Sequence, residues 1–156
     1  MRRKEKKISK RQTIDEIICM STVYRPGLAK NNIPYIVPVS FGYDGENIYF
    51  HTGAQGRKIE FIESNNTVCL EFEGEIKLLP AKSASKWTFA FKSVIGYGRI
   101  YEITELQDRI AALNHIMRKY SHSEGLYKTE SLKSMRVWKI EINHISGKQS
   151  KFDKPL

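Results

Sequence analysis

The chain has 156 residues, 40% apolar and 28% charged, with a formal net charge of +9. A chain of this length forms one domain, with a core large enough to fold without disulfides or a structural metal, and its aromatic content excludes a disordered or collagen-like polymer. No apolar run reaches the roughly 20 residues of a membrane helix and no signal-peptide core follows the basic N-terminus, so a soluble cytoplasmic protein with no membrane partner is expected.

Residues 1–12 carry seven basic side chains against Glu5, which places two thirds of the net charge there. Such an arm can attract nucleic acid or an anionic surface. No second basic cluster follows it, and a solvated tail leading into the first helix is the better expectation. Thr13-Ile14-Asp15-Glu16 has capping-box spacing and predicts a helix over residues 13–20, with Ile14, Ile17 and Ile18 on one face. Residues 22–29 read as a weak strand interrupted at Pro26-Gly27, and Lys30-Asn31-Asn32 as a turn. Residues 34–43 form the clearest strand: Tyr35, Val37, Val39, Phe41 and Tyr43 are bulky, while Pro38, Ser40 and Gly42 are small. One face suits a core, and on the other a flat ring could lie close to the backbone. Asp44-Gly45 signals a hairpin to a strand over residues 47–52.

Gly53-Ala54-Gln55-Gly56-Arg57-Lys58 then opens a short helix that closes at Asn65-Asn66. A strand over residues 67–73 alternates Val68, Leu70 and Phe72 with Cys69, Glu71 and Glu73. Residues 74–86 show no sustained period and read as a loop. A long strand covers residues 89–103, with Gly96 and Gly98 marking a bend or close approach. Thr104-Glu105-Leu106-Gln107 repeats the capping-box spacing ahead of a helix with Leu106, Ile110, Leu113, Met117 and Tyr120 inward. A strand over residues 136–145 and a polar tail end the chain. Hairpin-linked strands make this an α+β, mainly β fold on an antiparallel sheet or barrel, not a doubly wound one. Cys19 and Cys69 are expected to be buried, inert thiols. No two of the four histidines have metal-ligand spacing, so no metal is expected.

The chemistry concentrates where the strand over residues 47–52 meets Gly56-Arg57-Lys58. Free N–H groups at a helix start favour an anion, Arg57 adds a planar fork, and Lys58 adds a point charge. The spacing matches neither a Walker loop nor a dinucleotide fingerprint. A ligand with a flat ring and a phosphate fits this arrangement, as FMN would. Pro38, Val39 and Ser40 would flank its ring through main chain, and Arg57 and Lys58 would hold its phosphate. His51, at the strand end, is the candidate catalytic residue: an imidazole there can donate a hydrogen bond or protonate a reduced substrate. The alternative is a structural histidine bonded to nearby backbone. Trp138 is assigned to the core or a dimer interface, with stacking near a cofactor as the alternative for a residue on the last strand.

The stretches Pro34-Tyr35-Ile36-Val37-Pro38-Val39-Ser40-Phe41-Gly42-Tyr43, Ile48-Tyr49-Phe50-His51-Thr52, Gly56-Arg57-Lys58, Ser93 to Arg99 and Ile145-Ser146-Gly147-Lys148 resemble the pyridoxamine 5′-phosphate oxidase-like FMN-binding split barrels. More narrowly, they resemble the nitroimidazole-resistance branch. The resemblance covers residues 12–150 in order. It implies a six-stranded antiparallel split barrel with flanking helices over residues 13–147, between a basic arm (1–12) and a polar tail (148–156). It implies a homodimer with FMN at the subunit interface, with Val37, Pro38, Val39, Ser40, Tyr49, Phe50, His51 and Thr52 lining the flavin. Gly56, Arg57 and Lys58 would meet its phosphate, and Ser93 and Val94 would be contacts from the second subunit. The arginine-rich C-terminal motif of the true oxidases has no counterpart over residues 136–156, so that activity itself is not implied. The leading function is an FMN-dependent oxidoreductase that passes electrons from a reduced nicotinamide to a small acceptor such as a nitroaromatic. The alternatives are a non-catalytic flavin- or haem-binding module and, weakest, nucleic-acid binding through the basic arm.

Overall fold

The computed structural model describes residues 4–152. Its strands are β1 (Lys7–Ile8), β2 (Tyr24–Lys30), β3 (Ile33–Ile36), β4 (Gly42–Tyr43), β5 (Asn47–Gly53), β6 (Thr67–Leu79), β7 (Thr88–Ile103) and β8 (Met135–Ser150). Its helices are α1 (Arg11–Met20), α2 (Arg57–Ser64), α3 (Leu106–Ser121) and α4 (Thr129–Lys133). All strands join one antiparallel sheet in the order β3-β2-β6-β7-β8-β5-β4, with β1 added to β8. The class is as expected, α+β and mainly β. The described residues hold eight strands rather than six, because two short pieces, β1 and β4, are strands of their own.

The segment read as one strand over residues 34–43 is two, because it crosses between sheet edges. β3 pairs with β2 at one edge, and β4 pairs with β5 at the other. Between them Val39 makes a lone bridge to Tyr24, its N–H donating to the Tyr24 carbonyl at 2.9 Å and its carbonyl accepting from the Tyr24 N–H at 3.0 Å. Pro38, without an N–H, cannot continue a ladder, and the chain breaks there. The hairpin after β4 forms at Asp44-Gly45 as predicted, with Gly45 at a φ of 102°. Burial alone would raise Asp44, but the N–H groups of Asn47 and Glu46 and the Tyr49 hydroxyl hold its carboxyl down to about 2. The small face of the 34–43 segment is only partly open. A Cβ on Gly42 would come within 2.5 Å of the His115 backbone, so α3 occupies the bare surface there.

Inside the barrel, alternation along the strands buries Tyr24, Phe41, Phe50, Phe72 and Trp138 together. The Tyr24 ring lies 5.5 Å from Phe41 and 5.9 Å from both Phe50 and Phe72. Ile14, Ile17 and Ile18 pack α1 onto this core as predicted. Ala112, Leu113 and Ile116 seat α3 over Val137 on the outer face of the sheet. Met117 is therefore not the anchor of α3, and Leu106 is exposed. Tyr120 is 42% exposed, yet its hydroxyl donates to the Thr22 carbonyl at 2.7 Å and accepts from the Phe41 N–H at 3.1 Å. Neither capping box forms: α1 starts after Lys10 and α3 after Glu105, both without a side-chain cap.

Residues 74–79, expected in a loop, extend β6 and pair with the start of β7 after a register shift between Glu73 and Ile76. The irregularity expected at Gly96 and Gly98 appears as a shift against β8 between Tyr97 and Gly98. The basic arm is not simply a solvated tail. Ile8 is 6% exposed in the core, and β1 fits beside β8 because Gly147 has no side chain: a Cβ there would approach the Ile8 Cβ to 2.8 Å. Ser150, expected in the polar tail, ends β8 and is buried. Residues 1–3 and 153–156 of the expected arm and tail lie outside the described residues. Cys19 is exposed and Cys69 partly so, against the expectation of burial. Cys19 lies off the isoleucine face of α1, and Cys69 alternates with the buried Val68 and Leu70 of β6. Among the described residues no helix is long and apolar enough to cross a membrane.

Candidate functional site

β5 presents two faces with different uses. Ile48, Phe50 and Thr52 point into the barrel, while Tyr49, His51 and Gly53 point outward. Tyr49 stacks on His115 of α3, with ring centroids 5.0 Å apart and planes 15° apart. Two residues on, His51 is exposed, paired across the ladder with Val137. Burial first, and then the charge of Lys58, lower the His51 pKa, which favours the neutral imidazole, a form that can accept a proton.

After Gly53 the chain turns and enters α2 through Gly56, whose φ of 134° is a conformation for glycine alone. Gly56 is the N-cap, and its carbonyl accepts from the Ile59 and Glu60 N–H groups at 2.9 and 3.2 Å. The N–H groups of Arg57 and Lys58 precede the first intrahelical bonds, and no side chain caps them. Lys58 is half-buried, and burial lowers its pKa. The Arg57 guanidinium lies over the rings of Tyr35 and Phe61, 5.4 and 5.6 Å from their centroids. Contact with two rings positions this cation beside the helix start, where its donors can meet an oxyanion.

Residues named from sequence divide accordingly. Gly56, Arg57, Lys58 and the end of β5 at His51 and Thr52 come together around one turn. Pro38 and Ser40 are exposed and Val37 partly so, but the Val39 side chain is 6% exposed and its main-chain groups bond to Tyr24. The expectation that Val39 offers main chain to a ring is corrected: closing the barrel uses it. Phe50 is 1% exposed and serves the core, leaving Tyr49 and His51 as the outward pair. Val94 is fully buried at the centre of the sheet, between Phe72 and Gly147, so its side chain does not face a second copy. Ser93, its neighbour on the outer face, is partly exposed.

Sequence reasoning did not assign a role to Arg136, Glu63 or Glu102, and left Trp138 as a core or interface residue. Register places Arg136 opposite Thr52 and Trp138 opposite Phe50. The Trp138 indole N–H donates to Thr52 Oγ1 at 3.0 Å, and that hydroxyl donates to the Gly53 carbonyl at 2.9 Å. The Arg136 guanidinium stacks over the Trp138 ring at 4.5 Å, binds Glu63 of α2 at 2.7 Å and forks onto Glu102 of β7. These carboxylates hold Arg136 above its ordinary pKa, and the guanidinium holds Glu102 below its own. The only signal would have been the β5–β8 register, a long-range pairing that local periodicity does not encode.

Fold and site together define a small antiparallel split barrel with a cationic helix start one short turn beyond an exposed histidine. A family model described as pyridoxamine 5′-phosphate oxidase matches residues 10–149, and the chain belongs to that family. Among solved structures it is similar to a candidate 5-nitroimidazole antibiotic resistance protein from Bacteroides thetaiotaomicron VPI-5482. That match has 29% identity and a TM-score of 0.83, covering 92% of this chain and 86% of the other. The resemblance to the nitroimidazole-resistance branch therefore stands on structure as well as motifs. The FAD and haem binding protein from Mycobacterium smegmatis shares the fold at 15% identity and a TM-score of 0.83, covering 94% and 74% of the two chains. The flavocytochrome Anf3 from Azotobacter vinelandii does so at 20% identity and 0.78, covering 93% and 69%. No curated protein matches the chain significantly.

Proposed function

We propose that this chain binds FMN and works as an oxidoreductase, with a reduced nicotinamide as donor and a small molecule, nitroaromatics foremost, as acceptor. One observation carries the reading: Gly56, Arg57 and Lys58 present two uncapped N–H groups and two cations at the start of α2, one short turn beyond the exposed His51. The residues fit a phosphate-bearing flavin, because a strained glycine opens the helix start and Arg57 is pre-oriented by Tyr35 and Phe61. FMN, when bound, supplies hydride acceptance and electron donation. The protein's part is to hold the phosphate on Arg57 and Lys58, to offer Tyr49, His51, Pro38 and Ser40 along the ring, and to keep an unprotonated imidazole at hand. A homodimer completes this site, with Ser93 on the outer face as the residue a second copy brings.

The purified protein is expected to show flavin absorption that bleaches on anaerobic addition of NADPH or NADH. Arg57→Ala combined with Lys58→Ala is expected to weaken FMN binding at least about 100-fold, the order of two lost charge-assisted contacts. Unchanged affinity in a fluorescence titration would sink the phosphate assignment. Binding without turnover is the second reading, supported by the fold shared with the flavocytochrome and the FAD and haem binding protein. A Soret band, or a flavin that neither nicotinamide reduces, would favour it.

A further inference from the structure

We infer that Arg136 is a positioning residue for the phosphate cradle, acting through α2 and Thr52 rather than by touching the ligand; this rests on the FMN reading above. The cradle lies on a two-turn helix and the three-residue turn before it. Ile59, Phe61 and Ile62 seat the helix on the core, and one further group ties both its last turn and the entry to the turn to β8. Arg136 binds Glu63 in the last turn of α2, so the axis of a helix that begins with Arg57 and Lys58 is tied to β8. The same guanidinium forks onto Glu102 of β7 and stacks on Trp138, whose N–H holds Thr52 Oγ1 at the point where β5 enters the turn. Thr52 in turn holds the Gly53 carbonyl, which aligns the first peptide of the turn. Both ends of the segment bearing the cationic helix start therefore converge on Arg136.

Arg136 is committed to this brace. Its Nε and Nη2 point to Glu102, its Nη1 to Glu63, and its guanidinium lies over the Trp138 ring. Its side chain is 24% exposed. A lysine would keep the charge but could not fork onto one carboxylate while reaching a second and stacking.

The discriminating measurement compares FMN with riboflavin, which has the same ring and no phosphate. Both are titrated into the full-length protein by flavin fluorescence, with circular dichroism to verify folding. Arg136→Gln is expected to lower the ratio of FMN to riboflavin affinity about tenfold, the order of one lost charge-assisted hydrogen bond, with riboflavin affinity unchanged. Arg136→Lys is expected to fall between, and Glu63→Gln to reproduce part of the loss. Two results overturn the proposal: a parallel fall for both flavins, which marks a general structural role, or loss in Arg136→Gln with none in Glu63→Gln or Glu102→Gln, which marks direct contact. If the wild-type protein binds the two flavins equally, the phosphate reading fails first, and the brace falls with it. Should Arg136→Gln not fold, the Glu63→Gln and Glu102→Gln ratios decide the matter.

Discussion

The two ends of β7 have opposite environments. At one end Glu102 and Ile103 sit between β8 and the α2 and α3 side of the barrel, where Arg136 gathers two carboxylates and an indole around it. At the other, residues 88–90 pair with residues 77–79 in a two-stranded arm beyond the last β8 pair at Phe91 and Ser150. Ile76, Leu78, Trp87 and Phe89 there are 46–52% exposed. The sheet is continuous between the two ends, so the contrast comes from what covers each. Arg136 is held by two carboxylates and an indole at once, which fixes its geometry; apolar side chains on an uncovered ribbon fix little. The proposed cofactor cradle lies at the braced end.

Paired truncations test this contrast most strongly. Phe50→Ala, between Tyr24 and Trp138 in the barrel, is expected to cost about 3–5 kcal/mol in urea denaturation. Phe89→Ala on the arm is expected to cost less than about 1 kcal/mol. A Phe89 effect as large as that of Phe50 would break the comparison and show the arm covered in solution. Tyr24→Phe gives a smaller effect of opposite sign. Its hydroxyl is fully buried without a hydrogen-bond partner among the described residues, so its removal is expected to be neutral or to stabilise by about 1 kcal/mol. A clear loss of stability would reveal a partner for that phenol. The smallest effect is electrostatic. Lys58→Ala removes a cation that lowers His51, so the His51 pKa followed by NMR is expected to rise toward its ordinary value while remaining below it through burial. At a fixed pH below neutrality more of the imidazole is then protonated. An unmoved titration would separate His51 from the cradle.

How far the site could be read in advance depended on the range of the interactions. The strand over residues 47–52, the Asp44-Gly45 hairpin and the cationic start of α2 are local patterns and were legible, whereas the inward turn of Phe50 was not. The long strand over residues 34–43 was not, because its pattern has period two throughout while its partners change from β2 to β5 on either side of Val39. The extension of β6 through residues 74–79 was missed for a related reason. Ile76 and Leu78 alternate, but no core lies beneath them to make the alternation informative.

By itself the sequence determined the class of fold, the α1 isoleucine face, the Gly-Arg-Lys helix start and the position of His51 at a strand end, since each follows from the spacing of neighbouring residues. Only the tertiary structure decided that Gly42 makes room for α3, that Val39 closes the barrel, that β1 docks over Gly147, and that Arg136 meets Glu63 across 73 positions of chain. Those contacts depend on strand register and on which face another element covers, quantities set by the packing of the whole chain.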